Sequence, residues 1–91
     1  MTAEAPTITS LSPTSGDISG GTSVTITGSG YDTTTSVTFG GSVASFGVIN
    51  SITLAAITPV GDAGAVDVIV TTVGGTTTAT GAYTYINNAG I

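Results

Sequence analysis

Five carboxylates are the side chains of this 91-residue sequence with the most obvious capacity for chemistry. They are Glu4, Asp17, Asp32, Asp62 and Asp67, and they stand in a chain without Lys, Arg, His or Cys, so the formal net charge is -5. Carboxylates alone can serve as general acids and bases. They can also bind calcium weakly, together with backbone carbonyl oxygens.

The missing residue types exclude several classes of function. Nucleic-acid binding needs Lys or Arg on the phosphates, and attachment to anionic membranes needs a basic cluster. Zinc, haem and iron–sulfur sites need His or Cys ligands. Ser–His–Asp, Cys–His and Ser–Lys catalysis each lose an obligatory member. We therefore expect no nucleic-acid partner and no cofactor.

The spacing of the acids argues against an active site. Asp32 and Asp62 lie in predicted loops beside Gly and Thr and are weak calcium candidates, but no Asp-x-Asp-x-Asp-Gly pattern supports them. A role in Asx turns is the favoured alternative. Asp17 follows a turn glycine, and Asp67 alternates with inward valines, which predicts a solvent-facing carboxylate. Because a glycosidase pair needs a cleft and a separation of roughly 5–9 Å, the sequence predicts a non-enzymatic protein without catalytic residues.

The remaining composition favours β-strands. Thr occurs 20 times, Val nine times and Ile nine times, so 38 of 91 residues are β-branched. Such side chains fit a pleated sheet better than a helix, and strong helix formers are scarce. A hydrophobic content of 40% opposes disorder. The length suits one all-β domain.

Glycine and proline divide the chain into about seven short, mostly antiparallel strands, a pattern typical of a β-sandwich. We predict strands over residues 7–11, 23–27, 36–39, 42–46, 51–57, 65–72 and 81–86, the fourth of them at a sheet edge. Alternation predicts a core of Ile8, Leu11, Val24, Ile26, Val37, Phe39, Ile52, Leu54, Val66, Val68, Val70, Tyr83 and Tyr85.

The outward positions are chiefly Thr and Ser, and no Lys protects the sheet edges. Either partners cover these edges or the diffuse negative charge suffices to keep them apart. Val48, Ile49 and the outward Ile69 form the predicted contact surface. The longest apolar runs have four residues, too short to cross a bilayer. Residues 1–6 lack the basic and apolar regions of a signal peptide, so we expect either a virion component or an excised extracellular domain.

The order of motifs resembles the IPT/TIG domain. The segments that carry this resemblance are residues 6–16 (PTITSLSPTSG), 20–31 (GGTSVTITGSGY), 36–41 (SVTFGG), 51–54 (SITL) followed by Pro59, 64–72 (GAVDVIVTT) followed by Gly74-Gly75, and 83–85 (YTY). The resemblance implies an immunoglobulin-like, early-set β-sandwich. It predicts an N-terminal arm over residues 1–5, the sandwich over residues 6–86 and a C-terminal tail over residues 87–91.

The resemblance does not imply one function, and the departures from it narrow the choice. The transcription-factor branch uses basic loops, and the receptor branch commonly sits in disulfide-rich chains, so this chain resembles the bacterial or phage type. We expect a non-catalytic structural module whose partner is protein, either itself or a larger assembly such as a phage virion. The alternative is a carbohydrate-associated or adhesin spacer domain from a secreted multidomain bacterial protein. No clear sugar site supports carbohydrate binding, because Tyr31, Tyr83 and Tyr85 occupy core positions of the resembled pattern.

Overall fold

The computed structural model describes residues 5–87, which form nine strands and one 3-10 turn. The remaining residues of the predicted arm and tail, 1–4 and 88–91, lie outside the described residues. No helix within residues 5–87 is long and apolar enough to span a membrane. The elements are β1 (Thr7–Ser12), β2 (Ser15–Asp17), β3 (Ser23–Ser29), the 3-10 turn (Tyr31–Thr33), β4 (Thr34–Phe39), β5 (Ser42–Val43), β6 (Ser45–Asn50), β7 (Thr53–Ile57), β8 (Gly64–Thr72) and β9 (Gly75–Ile86).

The strands build two sheets. The four-stranded sheet has the order β1-β3-β7-β6, and the five-stranded sheet has the order β2-β9-β8-β4-β5. Every pair is antiparallel except β2 with β9, which is parallel. The sequence therefore predicted the fold class correctly as an all-β, immunoglobulin-like sandwich.

The core lies between the two sheets and largely matches the alternating positions. The buried apolar residues are Val24, Ile26, Tyr31, Val37, Phe39, Ala44, Leu54, Ala56, Val68, Val70, Tyr83 and Tyr85. Ile8, Leu11 and Val66 pack against this core and are partly buried. The prediction for Ile52 is wrong, because 53% of this residue is exposed. Its N–H binds Asn50 Oδ1 at 3.0 Å, which forms a turn before β7 begins at Thr53.

The chain changes sheets where the sequence predicts one edge strand over residues 42–46. β5 pairs with β4 in one sheet, whereas β6 pairs with β7 in the other. Ala44 lies buried between them, and its N–H donates to Val37 O at 2.8 Å. Two short strands at the edges of different sheets therefore replace the single predicted strand.

The Gly28-Ser29-Gly30-Tyr31 motif stabilises the packing of β1 against β3. Gly30 has a φ of 77°, a conformation that glycine adopts without steric penalty, and it directs the chain into the 3-10 turn. The buried Tyr31 hydroxyl then donates a hydrogen bond to Thr7 O at the start of β1. Gly28 lies directly beneath this bond, where a Cβ would come within 2.8 Å of the Thr7 carbonyl carbon.

We expect the domain to lose stability between about pH 10 and pH 12. Burial raises the pKa of Tyr31 from 10.0 to about 12. Burial also raises the pKa of Tyr85, with a further contribution from Tyr83. Because the fold favours the neutral phenols, this stabilisation is complete below the unfolded pKa and disappears as the pH rises through the folded pKa. Urea unfolding between pH 9 and 12, followed with tyrosine absorbance, measures the effect.

The chain suits this experiment because it has no Lys, Arg, His or Cys to titrate alongside the tyrosines. Tyr31→Phe should be less stable at neutral pH, since Thr7 O loses its hydroxyl donor, and its alkaline loss should be shallower than that of the wild type. If the free energy of unfolding falls equally steeply with pH in the two proteins, Tyr31 is not the source of the alkaline loss of stability.

Candidate interaction surface

The aromatic rings are occupied in packing and do not offer a sugar-stacking platform. The Tyr83 ring makes T-shaped contacts with Phe39 and Tyr85, with centroid distances of 5.2 Å in both pairs. The Tyr85 hydroxyl donates to Pro59 O at 2.8 Å. Among the aromatic residues of the described chain, Phe46 is the most accessible and is still half-buried. Stacking of a sugar on any of the four buried rings would therefore require the core to open.

The carboxylates are dispersed over the surface. Asp32 lies in the 3-10 turn, whereas Asp62 lies in the loop from β7 to β8, at the opposite end of the sandwich. Asp17 Oδ1 accepts the N–H of Ser19 at 3.0 Å. Within residues 5–87, no three His, Cys, Asp or Glu side chains come together in a way that could hold a metal ion. The structure thus keeps the two calcium candidates apart.

Asp67 has a structural contact that the sequence pattern did not indicate. It is exposed on β8, as predicted, and its Oδ1 accepts the N–H of Gly81 at 2.9 Å. Gly81 has a φ of 61° and lies in β9 where the β8–β9 register shifts. The carboxylate therefore satisfies a backbone donor that the irregular ladder releases.

A shallow groove opens at the end of the sandwich where β4 and β9 finish. Its volume is about 270 Å³, slightly below the usual range for small-molecule sites. Asp62 is the one acidic residue of its lining, and the other lining residues are Phe39, Gly40, Ser42, Val60, Gly61, Val66 and Tyr85. A single carboxylate without a basic or second acidic neighbour in this lining does not form an acid–base pair.

The edge formed by β6 is the more distinctive surface. Within the described chain, β6 pairs with β7 on one side only, so its other side is a free sheet edge. Val48 is 40% exposed and Ile49 is 61% exposed. Ile49 falls at a shift in the β6–β7 register. We refer to residues 42–52, which include β5 and β6, as the β5–β6 flank.

The structure brings together two of the three predicted contact residues. Val48 and Ile49 are neighbours in β6, but Ile69 lies in β8 of the other sheet and is half-buried. Val43, which is not among the predicted contact residues, is 75% exposed on β5. The feature that could have indicated it is an apolar residue shortly after the Gly40-Gly41 turn, where a strand can begin at a sheet edge.

The β5–β6 flank belongs to the longest uncharged segment of the chain. Asp32 and Asp62 bound 29 consecutive residues, 33–61, without an Asp, Glu, Lys, Arg or His. Uncharged edge strands without Lys or Pro are the ones that most readily accept another strand. This flank therefore combines an open backbone ladder, exposed aliphatic side chains and no charge.

The two sheets enclose an apolar core and have the topology of an immunoglobulin-like module. The described residues form no recognisable group of catalytic side chains. A family model for the IPT/TIG domain matches residues 6–85. The chain therefore belongs to the IPT/TIG family.

Similar proteins are much longer than this chain. Human fibrocystin-L is 45% identical over 69 residues, which represent 75% of this chain and 2% of that protein. SGBP-B, from a complex xyloglucan utilization locus in Bacteroides uniformis, superimposes with a TM-score of 0.77 and 27% identity, covering 90% of this chain and 24% of that one. The full extracellular region of plexin A4 superimposes with a TM-score of 0.73 and 26% identity, covering 89% of this chain and 8% of that one.

In each of these proteins the region similar to this chain is one part of a longer chain. None of the three is described as a virion protein. The expected bacterial or phage type therefore stays a prediction.

Proposed function

We propose that this domain is a non-catalytic contact and spacer module that binds a protein partner by strand pairing along β6. The uncharged, exposed edge of β6 carries this proposal. An edge strand presents unpaired backbone N–H and C=O groups, and a partner strand satisfies them while its side chains cover the exposed aliphatic groups. The buried rings and dispersed carboxylates favour this role over catalysis.

The distribution of charge favours a second copy of the domain as the partner. The net charge of -5 opposes self-association in general. However, the four acids of the described chain lie on β2, the 3-10 turn, the β7–β8 loop and β8, and none lies on β5, β6 or β7. An antiparallel pair of β6 strands about a two-fold axis is self-complementary and brings uncharged surfaces together.

Other roles have less support in the described residues. A virion-surface function agrees with self-association, but the similar proteins do not support it. Carbohydrate association is favoured by the similarity to SGBP-B, a protein of a xyloglucan utilization locus. The buried aromatic rings oppose direct sugar stacking, so in such a protein this domain would serve as a spacer. A glycan array with xyloglucan oligosaccharides tests direct binding, and retention of any of them would favour a sugar-binding module.

Replacing Ile49 with lysine should weaken self-association measured by sedimentation velocity over a concentration series. The substitution places a charge on each copy at the two-fold contact, where like charges repel. Val73→Lys is the matched control, since Val73 is 73% exposed in the turn between β8 and β9 and undergoes the same change of charge. Equal weakening by the two variants, or a wild type that stays monomeric throughout, would contradict the proposal.

A further inference from the structure

The described chain enters and leaves the sandwich at opposite ends. Ala5 lies beside Gly75, where β9 begins. A Cβ built on Gly75 would be 3.2 Å from the Ala5 Cβ. Ile86 ends β9, and β9 has 12 residues. At about 3.3 Å per residue, the two ends of this strand are roughly 36 Å apart. Tension applied through the flanking chain would therefore act along the strands.

The N-terminal strand is divided between the sheets in a way that opposes such tension. β1 runs away from the entry point in the four-stranded sheet, and β2 continues in the same direction beside the end of β9. β2 pairs with β9 in parallel, with Ser15 opposite Thr84 and Asp17 opposite Ile86. The Thr84 N–H donates to Thr14 O at 2.9 Å, and the Ile18 N–H donates to Ile86 O at 3.2 Å.

We infer that the β2–β9 pair is a mechanical clamp that lets the domain transmit tension between neighbouring parts of a larger protein. A pull on the N-terminal side draws β2 towards the entry point, and a pull on the C-terminal side draws β9 the other way. The evenly spaced bonds of a parallel pair are then loaded together in shear, not broken one after another. This inference goes beyond contact through β6 and does not depend on that contact.

Further bonds hold both ends of the loaded path. At the entry, the Tyr31 hydroxyl binds Thr7 O, and Thr7 Oγ1 lies 2.8 Å from Ser29 Oγ. At the exit, the Gly61 N–H donates to Ile18 O at 2.9 Å. Each terminal segment is thus bonded to the sandwich beyond its ladder partners, so end-to-end tension loads the β1–β3 pair and the β2–β9 pair in shear and does not peel the strands away one bond at a time.

Single-molecule force spectroscopy in two pulling geometries tests the clamp. One geometry attaches the handles at the two chain termini. The other attaches one handle at the N-terminus and one at V73C, which lies at the same end of the sandwich as the entry point. The absence of native cysteine makes this attachment unique. We expect a severalfold higher unfolding force for the end-to-end pull, whereas equal forces in the two geometries would overturn the inference.

A pair of variants separates mechanical resistance from equilibrium stability. Ile18→Pro removes the N–H that binds Ile86 O, so it should lower the end-to-end unfolding force strongly. Val37→Ala opens the core at a residue of β4 and leaves the β2–β9 hydrogen bonds in place, so it should lower the free energy of unfolding with little effect on that force. Forced unfolding follows the unfolding rate and its barrier, not the equilibrium stability. An equal decrease of the force in both variants would also overturn the clamp.

Discussion

Replacing Gly28 with alanine is expected to destabilise the domain by about 3 kcal/mol or more, since it overpacks a site bounded by backbone. A Cβ at this position would overlap the Thr7 carbonyl oxygen and the Tyr31 hydroxyl, and would lie 2.8 Å from the Thr7 carbonyl carbon. The backbone of β1 would have to move away from β3, which would also break the Tyr31–Thr7 hydrogen bond. Urea unfolding followed by circular dichroism measures the loss.

Gly47→Ala is the matched control for this experiment. Gly47 also lies in a strand, and nothing lies within 4 Å of a Cβ built on it. Alanine there should leave the free energy of unfolding unchanged or raise it by a few tenths of a kcal/mol, because it restricts the unfolded chain more than glycine does. Similar losses for the two variants would refute the steric explanation of the motif.

Replacing Gly16 with alanine should cost roughly 2 kcal/mol of stability through overpacking. A Cβ on Gly16 would overlap the Tyr83 hydroxyl and lie 2.5 Å from Thr22 Oγ1. The Tyr83 hydroxyl is the one buried side-chain oxygen or nitrogen atom of the described residues without a hydrogen-bond partner. Tyr83→Phe in the Gly16→Ala background should therefore recover much of the loss, because it removes the obstructing atom without breaking a hydrogen bond.

A double-mutant cycle in urea quantifies this coupling. Tyr83→Phe alone should be neutral or stabilising by up to about 1 kcal/mol, since it removes a desolvated hydroxyl without a partner. Tyr85→Phe provides the comparison and should destabilise by about 1 kcal/mol, because Pro59 O loses its donor. Strict additivity of the Gly16 and Tyr83 substitutions would mean that a Cβ at position 16 does not contact the Tyr83 hydroxyl.

Period-two alternation predicted those parts of the fold that depend on it. Val24 and Ile26 on β3, and Val68 and Val70 on β8, are buried as expected because each lies in a regular ladder. The pattern failed where the backbone departs from a regular ladder. Ile52 continues the alternation of β7 in the sequence, but the Asn50 turn removes it from the strand.

Two other elements carry too little apolar signal to be found from the sequence. β2 has the sequence Ser-Gly-Asp and is stabilised by its parallel bonds to β9, a long-range pairing that local composition does not encode. In the first half of β9, residues 75–80, four of the six residues are threonine, so its two faces look alike in hydrophobicity. The β2–β9 pairing could therefore not be predicted from the sequence pattern.

The exposed edge of β6 was likewise predictable only in part. Val48 and Ile49 are exposed aliphatic residues in a segment without charge, and both properties are visible in the sequence. That β6 ends one sheet while β5 ends the other follows from the sheet change at Ala44, which composition does not indicate. Ile69 lies apart from them because an outward position in the sequence pattern does not reveal to which sheet its strand belongs.

The most direct test of contact through β6 is a dilution series of backbone amide NMR spectra. If two copies pair along this edge, amide shifts should change with concentration for Ser45–Asn50 of β6. Those of β1, at the other edge of the same sheet, should stay constant. The changes should disappear in the Ile49→Lys protein and persist in the Val73→Lys protein. Shifts that are independent of concentration in the wild type, or that change at β1 and not at β6, would contradict the proposed contact.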